Sequence, residues 1–278
     1  MKTRFFTALL GVSLFLVGCE PDWGESPDSP SKPLPTPDVE APAIQFEKKA
    51  CISLVVSADC QYCHDCKSTI KNIINESFDG KAHMMTFFGE LRPDGHNDLC
   101  IAGHMPAVEF YPTIYIDYDA SRFNSESFNN LNDYMMSEIQ NSLNEIPSCG
   151  IAVSSDISEG KITAKVRLTA SETGSFNLVI CTVENDVEYY QRTKESEIIA
   201  EHPYVVRHLE WDNYLGKTYM LTRGQEIEVT YECPVHDDWN TDGLYIYALA
   251  LKDGLTDNIN ACLASGSADY VITEQTSI

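Results

Sequence analysis

Basic residues are scarce in this chain: 19 lysines and arginines stand against 42 aspartates and glutamates in 278 residues, a formal net charge of −23. A surface of that sign repels phosphate backbones and anionic lipid, so nucleic-acid binding is not expected. Long apolar runs are scarce as well. The most prominent, Phe5 to Val17, falls short of the roughly 20 residues that span a bilayer as a helix. No phosphate-binding loop, dinucleotide fingerprint, Ser-His-Asp order or internal repeat is present, and no cofactor is implied. A second Cys-x-x-Cys is also missing, whereas structural zinc usually takes ligand pairs from two separate segments.

The first residues carry an address. A short basic start, Met1-Lys2-Thr3-Arg4, precedes the apolar run and gives it the proportions of a secretory signal. Leu16-Val17-Gly18-Cys19 resembles the lipobox of bacterial lipoproteins. That resemblance implies a signal peptide over residues 1–18, a lipid on Cys19, and attachment to the membrane through this anchor alone. The acidic stretch Glu20 to Glu25 is similar to surface-export signals of Bacteroidetes lipoproteins, which implies an outer-membrane, surface-exposed location. Residues 19–43 interleave Pro21, Pro27, Pro30, Pro33, Pro35, Pro37 and Pro42 with polar residues, a composition that cannot bury a core and predicts a tether.

Two folded segments are expected beyond it, 44–148 and 149–278. In the first, Ile52 to Val56 reads as a buried strand. Ile70, Ile73, Ile74 and Phe78 then fall at helical spacing, with Lys67 and Lys71 assigned to another face, and Gly80 marks the stop. Met84 to Phe88 reads as a second strand and Tyr111 to Ile116 as a third, with Pro112 at its beginning where a missing N–H is tolerated. A short helix is expected around Asp98–Ala102. Phe128, Leu131, Met135, Ile139, Leu143 and Ile146 form one stripe of a long helix ended by Pro147. The second segment changes period. Ile162, Ala164, Val166 and Leu168 alternate with polar residues, as do Ile227, Val229 and Tyr231. Further runs over 176–183, 204–209, 244–251 and 270–273 are separated by turn signals such as Glu159-Gly160 and Arg223-Gly224. Regular short strands without a helical stripe predict an antiparallel sandwich of the immunoglobulin or fibronectin kind.

The chemistry-bearing stretch is Ser57-Ala58-Asp59-Cys60-Gln61-Tyr62-Cys63-His64-Asp65-Cys66. A strand, a Cys-x-x-Cys and an amphipathic helix follow one another in the order of a thioredoxin-like redox motif. A cysteine at a helix N-terminus faces the positive end of the macrodipole and unpaired N–H groups, both of which stabilise a thiolate. The segment Tyr111-Pro112-Thr113 resembles the cis-proline segment of thioredoxin-like proteins. By that resemblance Cys60 is the exposed nucleophile, Cys63 the resolving thiol and Pro112 the cis residue. Two features oppose activity. Asp59 is a carboxylate that would raise the Cys60 pKa, and Cys66 is a possible competing thiol one turn beyond Cys63. His64, if protonated, would offset Asp59. Three chemistries therefore stay open: a redox-active dithiol, an inert cross-link, or zinc held by Cys60, Cys63, His64 and Cys66.

Exported proteins tend to use cysteine as disulfides. Cys51, Cys60, Cys63, Cys66 and Cys100 lie in the first segment; Cys149, Cys181, Cys233 and Cys262 lie in the second. Internal pairing would close the second set and leave one thiol over in the first, without fixing which cysteines pair. His96, His104, His202, His208 and His236 show no metal spacing. Asp237, Asp238 and Asp242 near Gly243 lack the spacing of a calcium loop. Trp211, Trp239 and the tyrosines of the second segment suit strand faces and core better than a ligand site.

The order of these features resembles the Omp-twenty-eight-related outer-membrane lipoproteins of Bacteroidetes. The resemblance rests on the lipobox, Cys60-Gln61-Tyr62-Cys63 before a helix, Tyr111-Pro112-Thr113, His202-Pro203-Tyr204-Val205-Val206-Arg207, and Leu244 to Leu251 followed by Asn260-Ala261. It implies an α/β thioredoxin-like N-terminal domain followed by an all-β antiparallel sandwich. Two functions are compatible: thiol–disulfide exchange on exported proteins, or binding of an unknown surface ligand with cysteines that only stabilise.

Overall fold

The computed structural model describes residues 44–90, 108–119, 128–211 and 213–273. Cys19 with its signal and tether, Cys100, His96, His104 and the helix expected at Asp98–Ala102 lie outside the described residues. Among the described residues no helix is long and apolar enough to cross a membrane.

Strand β1 (Ala50–Ser57) is buried along its whole length. It pairs in parallel with β2 (Ala82–Glu90) and antiparallel with β3 (Thr113–Ile116). Burial on both faces explains its unbroken apolar run rather than an alternating one. Helix α1 (Cys63–Ser77) bridges β1 and β2, and Gly80 turns the chain after it at φ +70. Helix α2 (Leu131–Leu143) lays Met135 and Ile139 on the same core. Its expected stripe ends early: Ile146 is 75% exposed, because the helix stops before reaching it. Asp117 locks this end together. It accepts hydrogen bonds from Cys51 N (2.9 Å) and Ser142 Oγ (2.5 Å) and pairs with Lys48 at 3.3 Å, so its buried charge is fully partnered.

The later strands are β4 (Cys149–Ser158), β5 (Lys161–Ala170), β6 (Gly174–Glu184), β7 (Val187–Arg192), β8 (Glu197–His202), β9 (Val205–Leu209), β10 (Lys217–Leu221), β11 (Glu226–Pro234), β12 (Leu244–Lys252), β13 (Leu255–Leu263) and β14 (Ser267–Ala268). They do not form a separate sandwich. β9 adds in parallel to the open edge of β2 at Thr86↔Val205, giving one eight-stranded mixed sheet in the order β13-β12-β6-β9-β2-β1-β3, with β10 also on β6. Thr86 N donates to Tyr204 O (2.8 Å) and Thr86 Oγ1 to Pro203 O (2.7 Å) at that joint. A four-stranded sheet, β11-β5-β4-β14, packs its apolar residues with those of β6 and β12.

The expected fold class is therefore corrected. The described chain is mostly β, with two α-helices among the described residues and mixed sheets, and it is not an α/β thioredoxin-like domain followed by a β-sandwich. Periods of 2 and 3.6 mark α1, α2 and strands such as β5, β6, β11 and β12 but leave β4, β7, β8, β10 and β13 unmarked, and the edge pairing of β2 with β9 makes a joint that no local pattern encodes. The run 270–273 contributes an isolated bridge, Phe46↔Ile272, instead of a strand.

The disulfide expectation also fails. Cys51, Cys60, Cys63, Cys66, Cys149, Cys181, Cys233 and Cys262 are all free thiols, and Cys60 alone of these is not buried. The register gives the reason: Cys149 faces Ala170, Cys181 faces Tyr247, Cys233 faces Ile162 and Cys262 faces Ile246. Cys181 and Cys262 behave as small apolar core residues, while Cys149 donates to Asp257 Oδ2 (3.2 Å) and Cys233 to Pro234 O (3.4 Å).

Gly216 sits at φ +68, where an added Cβ would meet Leu178 O at 2.1 Å. Gly224 has a similar φ of +77 but open space around it. Gly224→Ala is therefore expected to cost about 1–2 kcal/mol of backbone strain, whereas Gly216→Ala must also displace the β6 backbone and costs more. Paired urea midpoints check this, and equal shifts would contradict it.

Candidate functional site

The cysteine cluster lies where β1 passes into α1. Cys60 is half-buried in the turn, Cys63 is the first residue of the helix and is fully buried, and Cys66 is buried one turn on. Burial of α1 follows residues 63, 66, 67, 70, 73 and 74. Lys67 therefore lies on the buried stripe and not on the opposite face that its charge suggested. Across from the turn the Tyr111–Pro112 peptide bond is cis, and Cys60 Sγ donates to Tyr111 O at 3.4 Å. A cleft of about 540 Å³ opens in front of Cys60, lined by Asp59, Gln61, Tyr62, Tyr111 and Arg192 among others.

The two thiols of the Cys-x-x-Cys are driven apart. A hydrogen bond from Cys63 brings the Cys60 thiol down to about 7, with help from the backbone N–H groups of Tyr62 and Cys63 and from Lys67, against the cost of burial. Burial pushes Cys63 far up, and its role as donor to Cys60 pushes it further. Burial also raises Cys66, to about 12. The opposition expected from Asp59 does not prevail: Asp59 is exposed and accepts from Tyr190 Oη at 3.4 Å, and the Cys60 thiol is lowered, not raised.

The β7–β8 hairpin closes over this cluster and supplies residues that sequence reasoning missed. Gln191, fully buried, points its Nε2 at the carbonyls of Ala58, Cys60 and Arg192 within 3.1 Å, fixing the turn that carries Cys60. Its Oε1 accepts from Lys67 Nζ at 2.8 Å. His202, also fully buried, accepts from Lys67 through Nδ1 and donates from Nε2 to Tyr189 O at 3.2 Å. Desolvation and Lys67 hold His202 down to about 3, so it is neutral. The Phe88 ring lies 5.7 Å from Lys67 Nζ.

Elsewhere the candidates resolve as structural. Among the described residues no group of three or more His, Cys, Asp or Glu side chains is placed to hold a metal ion. Asp238 pairs with Arg207 at 3.3 Å, and Trp211 and Trp239 pack against the lower core. His208 hydrogen-bonds Tyr231 at 2.9 Å.

These features define a β-rich fold with a solvent-reached thiol over a buried thiol pair and a buried lysine. The chain shares this fold with HBP35 of Porphyromonas gingivalis, a Bacteroidetes protein: TM-score 0.61, 11% identity, covering 84% of this chain and 87% of that one. A DUF4785 family protein from Legionella pneumophila (TM-score 0.26, 14% identity, 43% and 29% of the chains) and CsgH of R. palustris (0.22, 10%, 44% and 91%) align only loosely. No family model and no curated protein matches the sequence.

Proposed function

We propose that this chain is a thiol–disulfide oxidoreductase acting on exported polypeptides, with Cys60 as nucleophile and Cys63 as resolving thiol. The observation that carries the reading is the split between the two thiols: Cys60 is lowered to about 7 and faces a cleft, while Cys63, buried at the helix start, is raised. A thiol with pKa near the ambient pH is the best attacking nucleophile, and one held protonated waits for the second step. The lipobox ending at Cys19 supports a lipid-anchored, outer-membrane surface location, where disulfide-bonded substrates occur. The motifs shared with the Omp-twenty-eight-related lipoproteins support the same address.

The test is a titration of the Cys60–Cys63 couple against a glutathione redox buffer, run beside an insulin-reduction assay. A potential within the range of glutathione and measurable turnover are expected. A potential far below about −300 mV, where structural disulfides lie, together with no turnover would end this reading. A simpler measurement reads the site directly. Thiolate absorbance near 240 nm should rise with an inflection near pH 7 that Cys60→Ser removes; an inflection at 8.5 or above would contradict the assignment.

A further inference from the structure

Lys67 stands one turn beyond Cys63 on the same face of α1 and is 1% exposed. Among the described residues no carboxylate pairs with it, although a buried ammonium ordinarily requires one. Its nitrogen meets two acceptors whose directions are fixed by their own partners. His202 Nε2 donates to Tyr189 O, so Nδ1 offers its lone pair to Lys67. The Gln191 amide nitrogen is turned to three carbonyls, so its oxygen faces Lys67. A neutral amine has two N–H bonds and one lone pair. His202 and Gln191 take both N–H bonds, which leaves the lone pair to receive a proton.

We propose that Lys67 is the proton acceptor for Cys63 when a mixed disulfide is resolved, a role that rests on the thiol–disulfide reading above. In the first step the Cys60 thiolate attacks one sulfur of a polypeptide disulfide, and the other sulfur leaves and takes a proton from water. The Lys67 amine then takes the Cys63 proton. The Cys63 sulfur attacks Cys60, the bond from Cys60 to substrate breaks, and the departing substrate thiolate takes a proton from water, the hydroxide left being neutralised by the proton that the Lys67 ammonium then releases. Two electrons pass from the dithiol to the substrate disulfide, and Lys67 returns to its neutral form. The titratable groups acting on Lys67 are Cys60, Cys63 and Cys66; the hairpin presents neutral His202 and Gln191, and β2 presents the Phe88 ring. Desolvation by burial holds Lys67 down to about 7, so the amine is well populated at neutral pH.

The experiment is a single turnover of the reduced protein with a cystine-bridged peptide, timing release of the first and second substrate thiols separately. In Lys67→Met the first release is expected to slow only several-fold at pH 7, by the part of the Cys60 thiolate that Lys67 supports. The second should slow by about 10²-fold or more at pH 7 and recover as pH rises and hydroxide replaces the amine. Lys67→Arg keeps the charge and the donors but cannot lose its proton; it should fail like Met, whereas a purely structural role would be rescued. Second release at the wild-type rate in Lys67→Met overturns the proposal. Absence of any first release in wild type overturns the thiol–disulfide reading instead. If the variants do not fold, NMR titration of the wild-type Lys67 Cε shift decides: an inflection near pH 7 is expected, and a side chain still protonated at pH 9 overturns it.

Discussion

Between pH 9 and 10, in reducing buffer, the protein is expected to lose roughly 4 kcal/mol of stability. Cys51, Cys66, Cys149 and Cys181 are each no more than 1% exposed. Burial pushes Cys51 and Cys66 up to about 12 and the other two well up. Because their folded pKa values are raised, the stability they contribute is complete below the unfolded thiol value and is lost as pH rises past it. Above that value the unfolded chain releases the protons of these four and of Cys63, raised by the same burial, which the folded chain keeps. Each contributes a slope of about 1.4 kcal/mol per pH unit once the unfolded thiols are ionised. Cys60 works the other way between pH 7 and about 8.5, and Lys67 does so from pH 7 up to about 10, where it offsets about one of the thiols. Both have folded values lowered to about 7, so the unfolded chain binds more protons there and stability rises. The outcome is a maximum near pH 8–9 and a steep alkaline fall, large against a total of about 5–15 kcal/mol for an ordinary domain. Urea midpoints at pH 7, 8.5 and 10 measure it. A midpoint at pH 10 equal to that at 8.5 would refute the account, and Cys181→Ala should make the fall shallower.

The second large effect separates the three clustered thiols. At pH 7 about half of Cys60 is thiolate, while a thiol at about 12 is ionised in roughly one molecule in 10⁵. Cys60→Ser should therefore abolish insulin reduction, by at least about 10³-fold. Cys63→Ser should accumulate a Cys60 mixed disulfide that mass spectrometry detects. Cys66→Ser should leave turnover within a few-fold, since Cys66 neither reaches the cleft nor ionises. Activity surviving in Cys60→Ser, or lost in Cys66→Ser while the fold persists, would reassign the nucleophile.

Much of the front of this site was legible. The run Ile52 to Val56, the spacing from Ile70 to Phe78, and the position of Cys60 and Cys63 between them needed only local periodicity. The charge of Lys67 points to the wrong face, although 63-67-70-74 marks one helix face. Gln191 gives no signal, and His202 stands only among the scattered histidines and at the head of the run His202 to Arg207. Their strands, Val187-Glu188-Tyr189-Tyr190-Gln191-Arg192 and Glu197 to His202, mix apolar and polar residues without a clean alternation, and Gln191 hydrogen-bonds Cys60 across a separation of 131 residues. Cysteine counting misleads for a physical reason: parity constrains pairing only where thiols meet, and strand register keeps Cys149, Cys181, Cys233 and Cys262 opposite other residues. The single joint between β2 and β9, which turns two expected domains into one sheet, is likewise a pairing of edges that no window of sequence reports.

The closing of the β7–β8 hairpin over Cys60 has a consequence in time. A chain is made from its N-terminus, so Cys60, Cys63 and Lys67 emerge well before the segment that carries Gln191 and His202. Until that segment arrives, the turn holding Cys60 lacks its amide clamp and Lys67 remains in water as an ordinary ammonium. The incomplete chain has the sulfurs but not the environment that sets them apart. Maturation of the dithiol is thus coupled to completion of the back of the molecule, and a chain truncated before residue 187 should show thiols that titrate like those of a peptide.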